Sequence, residues 1–370
     1  MHEPIPFVDL LSEWRPHTAE VLQRIAAVFA HGRFIMGPEV DELEQKLADD
    51  LGVAHAITCS SGTAALQLAL MALDIRPGDE VILPAFTFAA PLEAVLLLGA
   101  VPVLADIDPL SYTLDPASVE RLLSPATRAI IAVSLYGQPA DFQQLRALAE
   151  PRGIWLVEDA AQSYGATLEG RRSGTLGHIG CTSFFPTKPF GGAGEGGAVF
   201  TASDELANRM VAVRNHGQTG KYQHSMVGFN ARLDSVSCVP LLVGLRYRKE
   251  RLALRQQAAE RYRTGLGDAG LGCPTVKSDR TSAWAQYAVR VDAREQVVGH
   301  MDQAGIQTAI HYPSPLHRQP AFRDRVRHGP LACAEKAARE LLCLPLYPSL
   351  TSAQQDRIAS VLLRAVQDTG

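Results

Sequence analysis

The sequence predicts an α/β fold, a mostly parallel central sheet with helices on both faces, followed by a smaller C-terminal α+β domain. Two observations carry this expectation. Between roughly residues 50 and 205, short apolar or β-branched runs alternate with helical patterns, as in a parallel sheet covered by helices. From Tyr247 the composition shifts to a long amphipathic stretch rich in Arg, Gln, Ala and Glu, which suits a connector leaving the sheet. At 370 residues the chain has room for two domains, and the expected division is 1–245 for the large domain and 246–370 for the connector and the small one.

Taken in order, the strands are expected at Ala54–Cys59, Glu80–Pro84, Val101–Asp106, Arg128–Ser134, Ile154–Glu158, Cys181–Phe185 and Gly197–Thr201. The intervening helices are Ala64–Leu73, Ala90–Leu98, Pro116–Leu123 and Asp141–Glu150, with Ser60 or Ser61, Asp115, and Asp141 or a near neighbour as capping residues. The connector helix is expected from Tyr247 to about Gly265. A strand at Ser282–Val291, a helix at Arg294–Ala304, a proline-rich loop at Tyr312–Pro320 and a last helix at Ser352–Val366 complete the chain.

Composition narrows the function classes. Apolar residues make up 46% and charged residues 20%, which excludes disordered and fibrous classes. A net charge of -4 with scattered basic residues argues against a nucleic-acid partner. The six cysteines form no C-x-x-C pair, so neither a zinc site nor a disulfide scaffold is expected. The greasy segment Ala89–Ile107 is broken by Pro91, Glu93 and Pro102, and Met1–Pro6 carries no basic region ahead of an apolar one. No membrane association and a cytoplasmic location follow as expectations.

Three segments carry chemistry. In Cys59-Ser60-Ser61-Gly62-Thr63-Ala64 a strand gives way to a helix, so Gly62 and Thr63 can aim free N–H groups and a hydroxyl at a phosphate; an ordinary serine-capped helix start is the alternative. Asp159, in Val157-Glu158-Asp159-Ala160-Ala161-Gln162, sits at the carboxyl end of a buried strand, where open α/β sheets place ligands. A protonated pyridine nitrogen would suit it as partner, with Gln162 on the ring hydroxyl; a solvent-facing acid or helix cap is the alternative. Lys188 lies between the aromatic strand Cys181-Thr182-Ser183-Phe184-Phe185 and a glycine-rich stretch, Gly191 to Gly197. An amine desolvated there can form a Schiff base with an aldehyde, and Ser183 is near enough to hold a cofactor phosphate; an exposed loop lysine is the alternative. Gly192-Ala193-Gly194-Glu195-Gly196-Gly197 also fits G-x-G-x-x-G, but it precedes a strand and opens no helix, so it is no dinucleotide fingerprint.

The phosphate hairpin, Asp-x-x-Gln and S-F-F-P-x-K followed by G-x-G-G occur in an order and spacing that resemble the DegT/DnrJ/EryC1/StrS family of sugar aminotransferases. The likeness extends through Arg33–Pro38, Pro77–Ile82, Phe86–Phe88, Leu135–Asp141, Arg214–Gly217, Gly228–Asp234 and His311–Pro313. It implies an aspartate-aminotransferase-like fold (fold type I of the pyridoxal-phosphate enzymes) and a homodimer with shared active sites. It further implies that Lys188 is the Schiff-base lysine of pyridoxal 5′-phosphate, Asp159 pairs with the pyridine nitrogen and Gln162 contacts the ring oxygen. Phe88 would stack on the ring, and Gly62, Thr63 and Ser183 would hold the phosphate with Asn230 of a neighbouring chain. His311 and Tyr312 would face a nucleotide-sugar substrate. The implied activity moves an amino group from an amino acid, L-glutamate as expected donor, to a nucleotide-linked keto-sugar, with a UDP-linked 3-keto sugar as the specific expectation. A keto-cyclitol is the runner-up substrate. A sugar dehydratase of the same family would carry histidine at the lysine position, and a non-catalytic homologue would not need Lys188, Asp159 and Gln162 together. The chain departs from the pattern in four places: Leu233-Asp234-Ser235-Val236-Ser237-Cys238-Val239-Pro240 stands where L-D-x-x-Q-A-A is common, Ser134 and Tyr347 where histidine is frequent, and Ala64 where aspartate is common among enzymes aminating UDP-3-keto-N-acetylglucosaminuronate.

Overall fold

A computed structural model describes residues 3–267 and 270–369. Met1 and His2, part of the stretch read above for a leader, lie outside them. Seven strands of the main sheet fall where apolar runs predicted them, within two residues at each end: β1 (His55–Cys59), β2 (Glu80–Pro84), β3 (Val101–Ala105), β4 (Thr127–Val133), β5 (Trp155–Asp159), β6 (Ile179–Ser183) and β7 (Gly197–Thr201). An eighth, β8 (Arg327–His328), comes from the C-terminal part of the chain. The order is β1-β7-β6-β5-β4-β2-β3-β8. Only β7 runs against the rest, pairing antiparallel with both β1 and β6, so the sheet is mostly parallel. Strands β2, β6 and β7 are buried along their whole length, as strands covered on both faces must be, which is why they read as continuous apolar runs without alternation.

Apolar clusters lie on either face of this sheet. One gathers Leu68, Leu83, Phe86, Ile131, Val157 and Val199; the other gathers Ile82, Val103, Ile130, Leu145 and Leu156. Val157 and Leu156, adjacent on β5, thus serve opposite faces, as the two-residue period of a strand requires. Of the expected caps, Ser61 Oγ accepts from Ala64 N–H at 3.0 Å and the Asp115 carboxylate accepts from Ala117 and Ser118. Asp141 makes no cap bond. Its carboxylate is held by Lys277 at 2.6 Å and Arg280 at 2.5 Å.

The connector differs from expectation. It is a helix of 33 residues, Ser235–Gly267, that begins twelve residues before Tyr247 and contains Pro240. Cys238 through Gly244 are all buried, so this stretch has no polar face and shows no helical periodicity in the sequence. The expected boundary between residues 245 and 246 falls inside this helix. Beyond it, the strand expected at Ser282–Val291 is limited to Tyr287–Arg290, which pairs antiparallel with Leu341–Leu344. The preceding residues are taken by other bonds: Ala283 N–H donates to Gly137 O and Ala285 N–H to Tyr136 O. Ile5, near the start of the chain, bridges to Ile306 and is buried with Tyr262, Tyr287 and Leu344 of the C-terminal part. Helices Thr18–His31, Pro38–Leu51 and Asp204–Arg214 had not been assigned from the sequence. Among the described residues no helix is long and apolar enough to cross a membrane.

Candidate active site

A cavity of about 580 Å³ opens at the carboxyl ends of β5 and β6. Two of its walls trace to local devices of the sequence. After β1 the chain turns at Ser61, whose extended backbone and capping hydroxyl start the helix Gly62–Ala72; its first turn leaves N–H groups without carbonyl partners in the helix. A Cβ built on Gly62 would lie 2.7 Å from the Ser183 Cβ. The absence of a side chain at Gly62 therefore lets the helix start meet the end of β6. Together they form a cradle of N–H and hydroxyl donors in which an anion is stabilised.

The Lys188 loop is anchored on both sides by aromatic rings. Phe184 and Phe190 are buried, their ring centroids 5.5 Å apart, and Phe190 stacks on Tyr164 at 5.0 Å. Phe184 closes the loop through its backbone, donating to Gly196 O and accepting from Gly192 N–H, each at 2.8 Å. At Gly191 a Cβ would come within 2.4 Å of Pro186 O, so the turn requires glycine there. These constraints turn Lys188 into the cavity, where its amine has no hydrogen-bond partner among the described residues. Burial lowers its pKa, and the nearby Asp159 charge opposes that shift only in part. The alternative of an exposed loop lysine is thereby removed.

Asp159 ends β5, buried at the cavity wall. Burial raises its pKa, offset by the Ala161 N–H that donates to Oδ1 at 3.0 Å and by the positive charge of Lys188. Gln162 is fixed by Tyr136, whose N–H donates to Oε1 at 2.8 Å, so its amide NH2 is turned toward the Tyr312 hydroxyl 3.4 Å away. Burial pushes the Tyr312 phenol well above its ordinary range and holds His311 below its own, the latter helped by Lys188. The His311 Nδ1 is buried and without a partner. Phe88 is 55% exposed and lies across the mouth, its ring 6.1 Å from that of Tyr312.

Of the residues singled out in the sequence, Gly62, Thr63, Phe88, Asp159, Gln162, Ser183, Lys188, His311 and Tyr312 all line this one cavity. Asn230 does not. It is exposed, pairs by a β-bridge with Asn215, and lies outside the cavity of its own chain. The sequence reading missed Phe7, Val8 and Gln286, which line the same space from distant parts of the chain and bear no local signal, and Thr87, which only its place in the Phe86–Phe88 segment pointed to. It also missed Tyr136. That residue positions Gln162 and donates its hydroxyl to His311 O, and only its place within the Leu135–Asp141 segment pointed to it.

The residues fit a phosphorylated pyridoxal group on their own chemistry. The glycine-opened cradle offers donors to a phosphate, a buried carboxylate with one N–H donor awaits a cation, and an unpaired amine stands beside it. Comparison with known proteins agrees. The chain is 46% identical over 358 residues to the UDP-2-acetamido-2-deoxy-3-oxo-D-glucuronate aminotransferase of Pseudomonas aeruginosa, covering 97% of this chain and 99% of that one. Its fold matches S. venezuelae DesV, solved in complex with a ketimine intermediate, with a TM-score of 0.95, 39% identity and 99% of both chains covered. It also matches ntda from Bacillus subtilis with bound cofactor pmp, with a TM-score of 0.91, 31% identity, and 99% and 86% of the two chains covered. The DegT/DnrJ/EryC1/StrS aminotransferase family pattern matches residues 16–363, and the chain therefore belongs to that family.

Proposed function

We propose that this chain uses pyridoxal 5′-phosphate to move an amino group from an amino acid, L-glutamate as expected donor, to a nucleotide-linked keto-sugar, with a UDP-linked 3-keto sugar as the specific substrate. The observation that carries the reading is the unpaired, half-buried Lys188 amine sharing one cavity with Asp159 and a glycine-opened phosphate cradle. The sugar assignment is supported by the 46% identity to an aminotransferase named for a UDP-linked 3-oxo sugar. In this reading the two parts of the chain, 1–245 and 246–370, are joined by the long Ser235–Gly267 helix, and the protein works in the cytoplasm as a homodimer.

When bound, the cofactor supplies an aldehyde that condenses with amines and a ring that takes up the electron pair released from carbon. Gly62, Thr63 and Ser183 hold its phosphate. Asp159 keeps a proton on the ring nitrogen, Gln162 donates to the ring oxygen and Phe88 covers one face. Lys188 would be the nucleophile that retains the cofactor, and its amine, when neutral, would carry a proton as base and then as acid, a role its lowered pKa suits. His311 and Tyr312, lining the same cavity, face the sugar nucleotide. Asn230, exposed on its own chain, reaches the phosphate cradle of a partner.

Two experiments test the reading. The aminated form of the enzyme is offered a panel of nucleotide keto-sugars and keto-cyclitols, and consumption of each is followed; turnover of the UDP-linked 3-keto sugar is expected. Preference for a cyclitol would replace the substrate assignment. For the shared site, Lys188→Ala chains are mixed with Asn230→Asp chains, each inactive alone. Mixed dimers are expected to regain activity, because one of the two sites then has both residues intact.

A further inference from the structure

A second cavity, of about 800 Å³, lies at the opposite edge of the sheet, against Trp155 at the start of β5. Asp159 ends the same strand, so the two cavities are separated by about 13 Å of strand. Four arginines line it: Arg146, Arg171, Arg172 and Arg209. Arg146 is engaged, pairing with Glu150 at 2.8 Å and donating to Leu176 O at 2.7 Å. Arg171 donates one Nη2 bond to Thr175 O and has no acidic partner among the described residues. Arg209 has no ion pair among the described residues, and its Nε is buried with no hydrogen-bond partner. Arg172 stands where this cavity meets a shallower depression holding Asp49 and Asp50, so the weight falls on Arg171 and Arg209. His178 adds a neutral donor: its Nδ1 accepts from Leu156 N–H at 2.9 Å, and burial keeps the ring from charging, which leaves Nε2 carrying the proton. Against these stands one exposed carboxylate, Glu205.

The buried Arg209 N–H is a cost unless an acceptor completes it, and the exposed Arg171 guanidinium beside it is free to take an anion. The space is much larger than a bare phosphate needs, and Leu51, Val53, Phe200 and the Trp155 ring give it an apolar wall beside Thr175, Thr201 and Ser203. We infer that this cavity binds a phosphate-bearing organic anion of nucleoside diphosphate size, its phosphates on Arg171 and Arg209 and its organic part along the Trp155 wall. The site is separate from the amination cavity and does not depend on the function proposed for it.

Trp155 supplies a local reporter, since the other two tryptophans, Trp14 and Trp284, do not line this cavity. The cofactor-loaded enzyme is titrated with UDP, inorganic pyrophosphate and uridine, with calorimetry and tryptophan fluorescence in parallel. UDP is expected to change the fluorescence in wild type, to bind Trp155→Phe by calorimetry without that change, and to bind more tightly than pyrophosphate or uridine. An Arg171→Ala/Arg209→Ala double variant should lose one UDP equivalent, or bind it at least about tenfold more weakly, while its KM for the keto-sugar is unchanged. UDP binding that survives the double variant undiminished would overturn the inference, as would a wild-type enzyme without a Trp155-dependent response. Pyrophosphate binding as tightly as UDP would overturn the nucleotide assignment.

Discussion

Glu158 and Asp159 are adjacent acids on the same buried strand, yet they serve opposite faces of the sheet and their surroundings could hardly differ more. Glu158 accepts from Ser173 Oγ at 2.6 Å, Gly174 N–H at 2.8 Å and Leu176 N–H at 2.9 Å, with Ser134 Oγ at 3.5 Å, and so ties down the turn that follows Arg171–Arg172. Asp159 has the single Ala161 N–H and an open cavity holding Lys188. Both are raised in pKa by burial, Glu158 to about 7. The difference lies in satisfaction. A buried acid supplied with a full set of donors holds structure together, whereas one left short of partners at the rim of a cavity is waiting for a cation.

That contrast can be broken most sharply at Lys188. Lys188→Ala is expected to lower turnover by about 10⁴-fold and to abolish the visible absorbance of lysine-bound cofactor, while the protein still retains cofactor through the cradle and Asp159. A fully active variant, followed by steady-state rate and absorbance, would end the proposed mechanism.

Asp159→Asn is expected to reduce the rate by roughly 10³-fold at saturating cofactor. Because it replaces a charge that burial disfavours, it should leave thermal stability unchanged or raised. Equal losses of rate from Asp159→Asn and Glu158→Gln would erase the distinction between the two acids.

Glu158→Gln should do the reverse. Rate per folded molecule stays near wild type, but the NH2 replaces an acceptor among donors, and chemical denaturation should register a loss of about 1–3 kcal/mol.

The smallest effect is in pH. A folded-state pKa of about 7 lies above the ordinary glutamate value of 4.5, so the folded protein binds the extra proton. Its stabilising contribution is fully present below pH 4.5 and fades as pH rises toward 7, with a slope no greater than about 1.4 kcal/mol per pH unit. Stability measured across that window should flatten in Glu158→Gln. A slope that persists unchanged would assign it to other groups.

Much of this was legible in the amino-acid order, and the particular residues show why. Strands β2 and β7 were read to the residue because glycine, proline or charge bounds a short apolar run. Ser61, Gly62, Asp159 and Lys188 stood out because each breaks a rule of its surroundings: a cap at a strand end, an acid closing an apolar strand, a lysine among aromatic and glycine residues. The start of the Ser235–Gly267 helix was hidden by its own burial, since a helix without a polar face has no period to detect. Asp141 looked like a cap until Lys277 and Arg280, more than a hundred residues away, claimed its carboxylate.

Local order along the chain thus determined the parallel sheet and the serine-capped helix start at Gly62, and singled out Asp159 and Lys188, because strand burial, helix capping and a charged residue out of keeping with its surroundings are written in neighbouring residues. The tertiary structure alone decided which distant groups meet them. Phe7 and Gln286 enter the cavity, Tyr136 orients Gln162, and Arg171 and Arg209 face one space in which neither has an acidic partner, because chain crossovers place residues side by side that no sequence spacing relates. The same crossovers divide Glu158 from Asp159. Adjacent side chains on a strand must point to opposite faces, but only the packing on each face decides which acid is given its donors and which is left to bind.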